Sequence, residues 1–162
     1  MISRRSVMVG AALGMAGCAA ETPQYIGPDV TRIQVFKEQR TLQLLNQDLL
    51  LRAYNFELGF APSGHKEREG DGRTPEGAYR IDRRNPNSSF YLSLGISYPN
   101  ANDIANARAL GVPPGGDIFI HGTPTRALGV KDWTWGCIAV QNEEMDEIYA
   151  MVQTGTQIFI YA

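Results

Sequence analysis

The chain of 162 residues holds only two cysteines, Cys18 and Cys137, and two histidines, His65 and His121. So few of either exclude a disulfide-stapled scaffold. With no Cys-x-x-Cys or His-x-x-x-His spacing, no metal and no cofactor are expected. Clustered basic residues are missing too. The 15 lysines and arginines are dispersed among 17 acids for a formal net charge of −2, so no nucleic-acid partner is expected. No apolar run reaches the roughly 20 residues that cross a bilayer as a helix, and no internal repeat is visible. What remains is an ordinary globular composition, 43% hydrophobic and 20% charged, with length for one domain and a substantial core.

The longest apolar stretch, Val7 to Ala16, follows Arg4 and Arg5. It reads as an export signal, which sets residues 1–17 apart from the fold. It ends in Leu13-Gly14-Met15-Ala16-Gly17-Cys18, which resembles a bacterial lipobox and implies that Cys18 becomes the lipid-bearing first residue of the mature chain. Ser3-Arg4-Arg5-Ser6-Val7 is similar to a twin-arginine export signal. Ala19 supplies no acidic signal for inner-membrane retention. The expected location is therefore the periplasmic face of the outer membrane, with the membrane reached through lipid on Cys18. Cys137 is then an unpaired thiol in an oxidising compartment, which suggests chemistry.

Residues 18–29 lack a periodic apolar pattern and read as a tether, leaving 30–162 as the domain. From Thr31 to Gly59 short apolar runs (Ile33, Val35, Phe36; Leu42, Leu44, Leu45; Leu49 to Leu51) are separated by Lys37–Arg40 and Asn46–Asp48, which predicts a three-stranded meander. Pro62 to Gly77 is polar, glycine-rich and too charged to be buried, a loop long enough to be functional. Further strands are predicted over Tyr79–Asp82, Phe90–Ile96, Asp117–Gly122 and Gln157–Tyr161. Helices are predicted over Asp103–Leu110 and from Asn142, where Met145, Ile148, Tyr149 and Val152 share one face.

Cys137 lies in Trp133-Thr134-Trp135-Gly136-Cys137-Ile138-Ala139-Val140, where Gly136 permits close backbone approach and an apolar strand follows. A thiol attacks as thiolate, and an imidazole can hold its proton while lowering its pKa. His121, at a predicted strand end, is the candidate and His65 the rival. The bland reading is equally open from spacing alone: a small buried hydrophobe and a hydrogen-bonded strand-end histidine.

Ile120-His121-Gly122-Thr123 followed by Thr134-Trp135-Gly136-Cys137-Ile138 resembles the histidine and Ser/Thr-x-Gly-Cys elements of the L,D-transpeptidase (YkuD) family. Gly70-Asp71-Gly72-Arg73-Thr74-Pro75-Glu76-Gly77 is similar to that family's Asp-x-x-Thr-Pro-x-Gly segment, and Asp132-Trp133-Thr134 resembles the YafK-like branch. The resemblance implies a mostly β sandwich with one or two short helices. It further implies a Cys137 nucleophile and a His121 proton acceptor and donor acting on peptidoglycan stem peptides, at the diaminopimelate–D-alanine bond, through a thioester. It makes Gly122 the backbone carbonyl that orients the imidazole and the N–H groups of Gly136 and Cys137 the oxyanion hole. From the residues themselves, Trp133 and Trp135 can form a wall of the substrate groove or equally serve as packing anchors, and Arg73 can face an anionic substrate or lie in a solvated loop. Two positions depart from the family: Trp135 stands where many members have histidine and Ala139 where they have arginine. Hydrolysis of wall-linked lipoprotein or peptide by the same family is the runner-up expectation, and a silent peptidoglycan-binding lipoprotein is a third. Cysteine peptidases of the NlpC/P60 kind have cysteine before histidine, the reverse of the order here.

Overall fold

The computed structural model describes residues 25–162; the expected export signal and Cys18 lie outside them. Strand β1 (Arg32–Phe36) alternates buried Ile33 and Val35 with half-buried neighbours, the period of a strand with one face on a core. It turns through Lys37–Arg40 into β2 (Thr41–Asn46), with Arg40 in the left-handed region at φ 54°. Asn46-Gln47-Asp48 then turns into β3 (Leu49–Asn55), Gln47 holding φ 52°. The predicted meander is therefore present. Tyr25, assigned to the tether, packs against the core, and the Asp29 carbonyl accepts from Asn46 Nδ2 at 2.7 Å.

Strand β4 (Gly77–Ser88) is much longer than the predicted Tyr79–Asp82. Its first residues pair with β8 (Gln157–Tyr161), and from Ile81 onward it pairs with β5 (Tyr91–Ile96). β6 (Phe119–His121) and β7 (Ile138–Ala139) complete one mixed eight-stranded sheet in the order β3-β2-β1-β8-β4-β5-β6-β7. The expectation of a mostly β fold holds. The two halves, joined through β4, enclose one core that includes Ile33, Leu44, Ile81, Leu94, Ile120 and Ile158. Each such residue contributes about 1.5–3 kcal/mol through burial.

Helix α1 (Ala101–Ala109) starts two residues before the predicted point because Asn100 caps it: its side chain accepts from the Asn102 and Asp103 N–H groups while Asp103 accepts from the Asn100 N–H. Helix α2 (Asn142–Met151) buries Met145, Ile148 and Tyr149 and packs against β5.

The two outermost strands do not present open edges side by side. Beyond β3, the Glu57 N–H donates to the Ala139 carbonyl at 2.8 Å and the Ala139 N–H returns to Glu57 at 2.9 Å. A second stitch runs from the Thr134 N–H to the Leu58 carbonyl at 3.0 Å. This seam satisfies backbone groups that an edge leaves unpaired, and it carries the segment that leads into Cys137.

Candidate active site

His121 closes β6, and Cys137 stands one residue ahead of β7. The two strands run parallel, with Ile120 opposite Ile138 and His121 opposite Ala139. Because side chains alternate along a strand, Ile120 and Ile138 enter the core, both fully buried, while His121, Ala139 and Cys137 share the other face. Residues at opposite ends of a long connection are thereby placed on neighbouring strands.

The imidazole is 3% exposed. Phe90 stacks on it at 4.7 Å and 27°, Trp133 meets it edge-on at 5.6 Å, and Phe90 and Trp133 touch each other at 5.9 Å. Nδ1 lies 2.7 Å from the Gly122 carbonyl. A carbonyl can only accept, so in the neutral ring Nδ1 carries the hydrogen and Nε2 the lone pair. Phe90 is a site residue that sequence reasoning missed, since an aromatic at a strand start reads as core.

Burial holds the His121 imidazole below the ordinary histidine range, the bond to Gly122 opposing it. Burial likewise pushes the Cys137 thiol up, against a backbone bond from Phe119 and the charge of Lys66. Sγ donates to the Asp117 carbonyl at 3.6 Å. Desolvation thus disfavours the charged form of both groups, the opposite direction to the expected acidification of the thiol.

Three backbone segments converge behind the thiol. Gly136 has φ +118°, and a Cβ there would stand 2.4 Å from the Arg73 carbonyl oxygen. A Cβ at Gly59 would stand 2.0 Å from the Gly72 oxygen and 2.7 Å from the Gly136 nitrogen. Thr74 Oγ1 donates to the Gly136 carbonyl at 2.8 Å, and Thr134 Oγ1 donates to that of Cys137 at 2.8 Å. Thr134 Oγ1 also accepts the Gly136 N–H at 3.2 Å. That N–H, expected to serve an oxyanion, is instead occupied: it is buried, and a threonine two residues back satisfies it.

Asp132 anchors the start of this turn. Its carboxylate receives both Arg40 guanidinium nitrogens, the Nη2 bond at 2.9 Å, and the Leu58 N–H at 3.3 Å. The Arg40 hydrogen bond holds its pKa below the ordinary value of 3.8. A depressed carboxylate stabilises the fold above its unfolded pKa and loses that contribution as pH falls through the folded value. Asp132→Asn is therefore expected to lower the melting temperature at pH 7 and to narrow its gap from wild type below about pH 4. An acid-independent gap in thermal melts counts against this role.

The Pro62–Gly77 loop is exposed over Glu67–Gly70, yet it buries charged groups that its composition placed in water. Lys37 Nζ, 3% exposed, donates to the Gly64 carbonyl at 2.6 Å and to Glu76 at 2.8 Å. Lys66, also 3% exposed, is paired with Asp71 at 2.9 Å. Charge neutralised within pairs can be buried, which composition does not reveal. Asp71 organises the loop by also accepting the N–H groups of Glu67, Arg68 and Arg73. The Arg73 guanidinium turns to Glu67 at 3.1 Å, so its charge is already matched, and only its backbone abuts the Cys137 turn. His65, the rival base, is committed elsewhere, accepting from the Glu76 N–H at 3.0 Å and facing Asp103 at 3.2 Å. Trp135 is 71% exposed and meets Phe60 edge-on at 5.2 Å, whereas Trp133 packs on the imidazole.

Residues 30–160 match the family described as the L,D-transpeptidase catalytic domain, YkuD. YafK of Escherichia coli K12 is 33% identical over 158 residues, covering 94% of this chain and 58% of its own length. The chain therefore spans less than two thirds of that relative. Among solved structures, the helical cell shape determining protein Pgp2 of Campylobacter jejuni superposes with a TM-score of 0.65 at 23% identity, over 84% of this chain and 49% of its own. Bd1075 of Bdellovibrio bacteriovorus gives a TM-score of 0.60 at 25% identity, over 82% and 48%. The fold, the placement of His121 and Cys137 on one face, and a match over residues 30–160 agree: the chain belongs to the YkuD family of L,D-transpeptidase catalytic domains.

Proposed function

We propose that this is an exported peptidoglycan L,D-transpeptidase, held to the membrane by lipid on Cys18, that acts through a Cys137 thioester on the diaminopimelate–D-alanine bond of stem peptides. One observation carries the reading: an imidazole with Nδ1 committed to Gly122 keeps Nε2 as a base on the face it shares with the only thiol of the domain. Membership of the family supports the reaction class.

In this scheme Nε2 takes the thiol proton as sulfur attacks the carbonyl at the L-centre of diaminopimelate. The tetrahedral intermediate collapses, the imidazolium returns the proton to the departing amine, and D-alanine leaves. An acceptor amine then attacks the thioester, forming the cross-link and restoring the thiol. With the Gly136 N–H occupied by Thr134, the Cys137 N–H is the proposed donor to the oxyanion. Trp133 fixes the ring plane by packing, while exposed Trp135 offers a rim to peptide or sugar.

A second reading, hydrolysis of existing wall links, is favoured by Ala139. It is 1% exposed and sewn to Glu57 where many members have arginine, so that position offers no cation to a peptide carboxylate. Mass spectrometry of disaccharide-tetrapeptide incubated with the protein, with Cys137→Ala alongside, tests both. Cross-linked dimers are expected. Tripeptide with free D-alanine alone favours water as acceptor, release of wall-bound lipoprotein favours the hydrolase, and silence on all substrates retires the enzyme reading.

A further inference from the structure

An amino acid that departs as an amine carries its own carboxylate one carbon away. In the scheme above, on which this inference rests, His121 returns a proton to the departing amine and must stand about 3 Å from it. The carboxylate of the leaving residue is therefore set down beside the imidazole. What flanks His121 decides how that charge is met.

Phe90 is the ring stacked on the imidazole, at 4.7 Å, and the guanidinium carbon of Arg126 lies over Phe90, 5.9 Å from its centroid. The fold holds both neighbours. Phe90 sits where the chain reverses from β4 into β5, and Tyr91 after it is strained at φ 75° with its hydroxyl donating to Asp146 at 2.9 Å. Strain of this kind persists only where surrounding contacts impose it. Arg126 lies in a short 3-10 turn, Thr125–Ala127, whose last residue is buried. Just before that turn, the Thr123 N–H donates to Asn142 at 2.9 Å and the Thr123 hydroxyl to the Val140 carbonyl at 2.7 Å. The connection that leaves His121 is thus anchored within two residues, and its arginine comes back over the ring that covers the base.

Cations of the neighbouring segments are already matched: Arg40 by Asp132, Lys66 by Asp71, Arg73 by Glu67, and Arg83 by Asp82 and Asp117. Arg126 is exposed and forms no salt bridge among the described residues. A guanidinium lying over an aromatic ring offers that ring its face, which leaves the in-plane N–H groups to receive a carboxylate in bidentate fashion. We infer that Arg126 is a specificity-determining residue of this site: its guanidinium receives the C-terminal carboxylate of the departing D-alanine and so selects a stem peptide whose leaving residue has a free C-terminus.

Calorimetric titration of the full chain carrying Cys137→Ala, which lacks the attacking sulfur, reads this as affinity. Three forms of the disaccharide-tetrapeptide serve as probes: the free acid, the form ending in D-alaninamide, and the form amidated on the side-chain carboxyl of diaminopimelate. Arg126→Gln is expected to weaken the free acid about three- to tenfold and to leave the D-alaninamide form unchanged, so the two losses do not add. The form amidated on diaminopimelate behaves like the free acid. Lys131→Gln, which removes the same charge from the same connection, keeps the affinity of the parent protein. Equal weakening of acid and D-alaninamide by Arg126→Gln would assign the arginine to packing on Phe90 and overturn the proposal. A Lys131→Gln loss as large as that of Arg126→Gln, a loss that follows the diaminopimelate carboxyl, or no binding at all overturns it too. Arg126-dependent capture of the free acid by a protein whose Cys137 form releases no D-alanine would retire the transpeptidase reading and leave this one standing. D-alanine release with an affinity indifferent to Arg126 does the reverse.

Discussion

Single-turnover release of D-alanine from a disaccharide-tetrapeptide is expected to fall about 10²–10⁴-fold when His121 is replaced by glutamine, the range over which a positioned general base contributes. Glutamine fills part of the space between Phe90 and Trp133 and sets its amide near the position of Nε2, but an amide has no basic nitrogen lone pair to take a proton, so the loss reports the base. Burial also makes the wild-type profile distinctive. A ring held below the ordinary value of 6.5 stays neutral further into acid, so the acid limb of single-turnover rate against pH is expected below that value. Protonation there removes the lone pair on Nε2. An acid limb at or above the ordinary value, or a glutamine variant within a few-fold of wild type, sinks the assignment of His121 as the base.

The second large effect is on the fold. Gly136→Ala is expected to cost about 4 kcal/mol, since strained backbone and steric overlap act together. At φ +118° an L side chain is already disfavoured, and its Cβ would stand 2.4 Å from the Arg73 oxygen, a backbone atom that cannot swing aside. Gly70→Ala separates the two causes. Gly70 has φ +74° but nothing within 4 Å of its Cβ position, so it bears only the left-handed penalty of about 1–2 kcal/mol. Urea denaturation of both variants makes the comparison, and equal losses would mean that the contact behind the thiol yields freely.

Much of this was legible beforehand. The meander appears where alternation and turn chemistry placed it, because Ile33, Val35, Leu42 and Leu44 each bury one side of a strand. Helix α2 follows from Met145, Ile148 and Tyr149 on one face. The distal half of β4 was missed for a physical reason. Its residues are largely exposed and polar, so periodicity is silent. Arg83 instead lies over the Phe119 ring at 4.5 Å and Arg84 over Tyr149 at 4.1 Å, and cation–π packing leaves no hydrophobic signature. Buried Lys66 and Asp71 escaped because each is hydrophilic alone and tolerable inside only as a pair. The occupied Gly136 N–H escaped because a threonine two residues back can point its hydroxyl to water or to the chain, and nothing in its neighbours decides which.

The seam between Glu57 and Ala139, with β8 lying in the middle of the sheet beside β1, has a kinetic consequence. Residues 157–161 supply a central strand and pair in parallel with residues 32–36, so the sheet cannot close until those last residues are available. Pairings between segments so distant along the chain are slow to form, because loop closure must precede the contacts that reward it. The segment that leads into Cys137 is held instead by the residues just beyond β3, through the Leu58 and Glu57 backbone. Residues 157–161 thus couple the first strand to the middle of the sheet, and the eight strands become one sheet only when they pair.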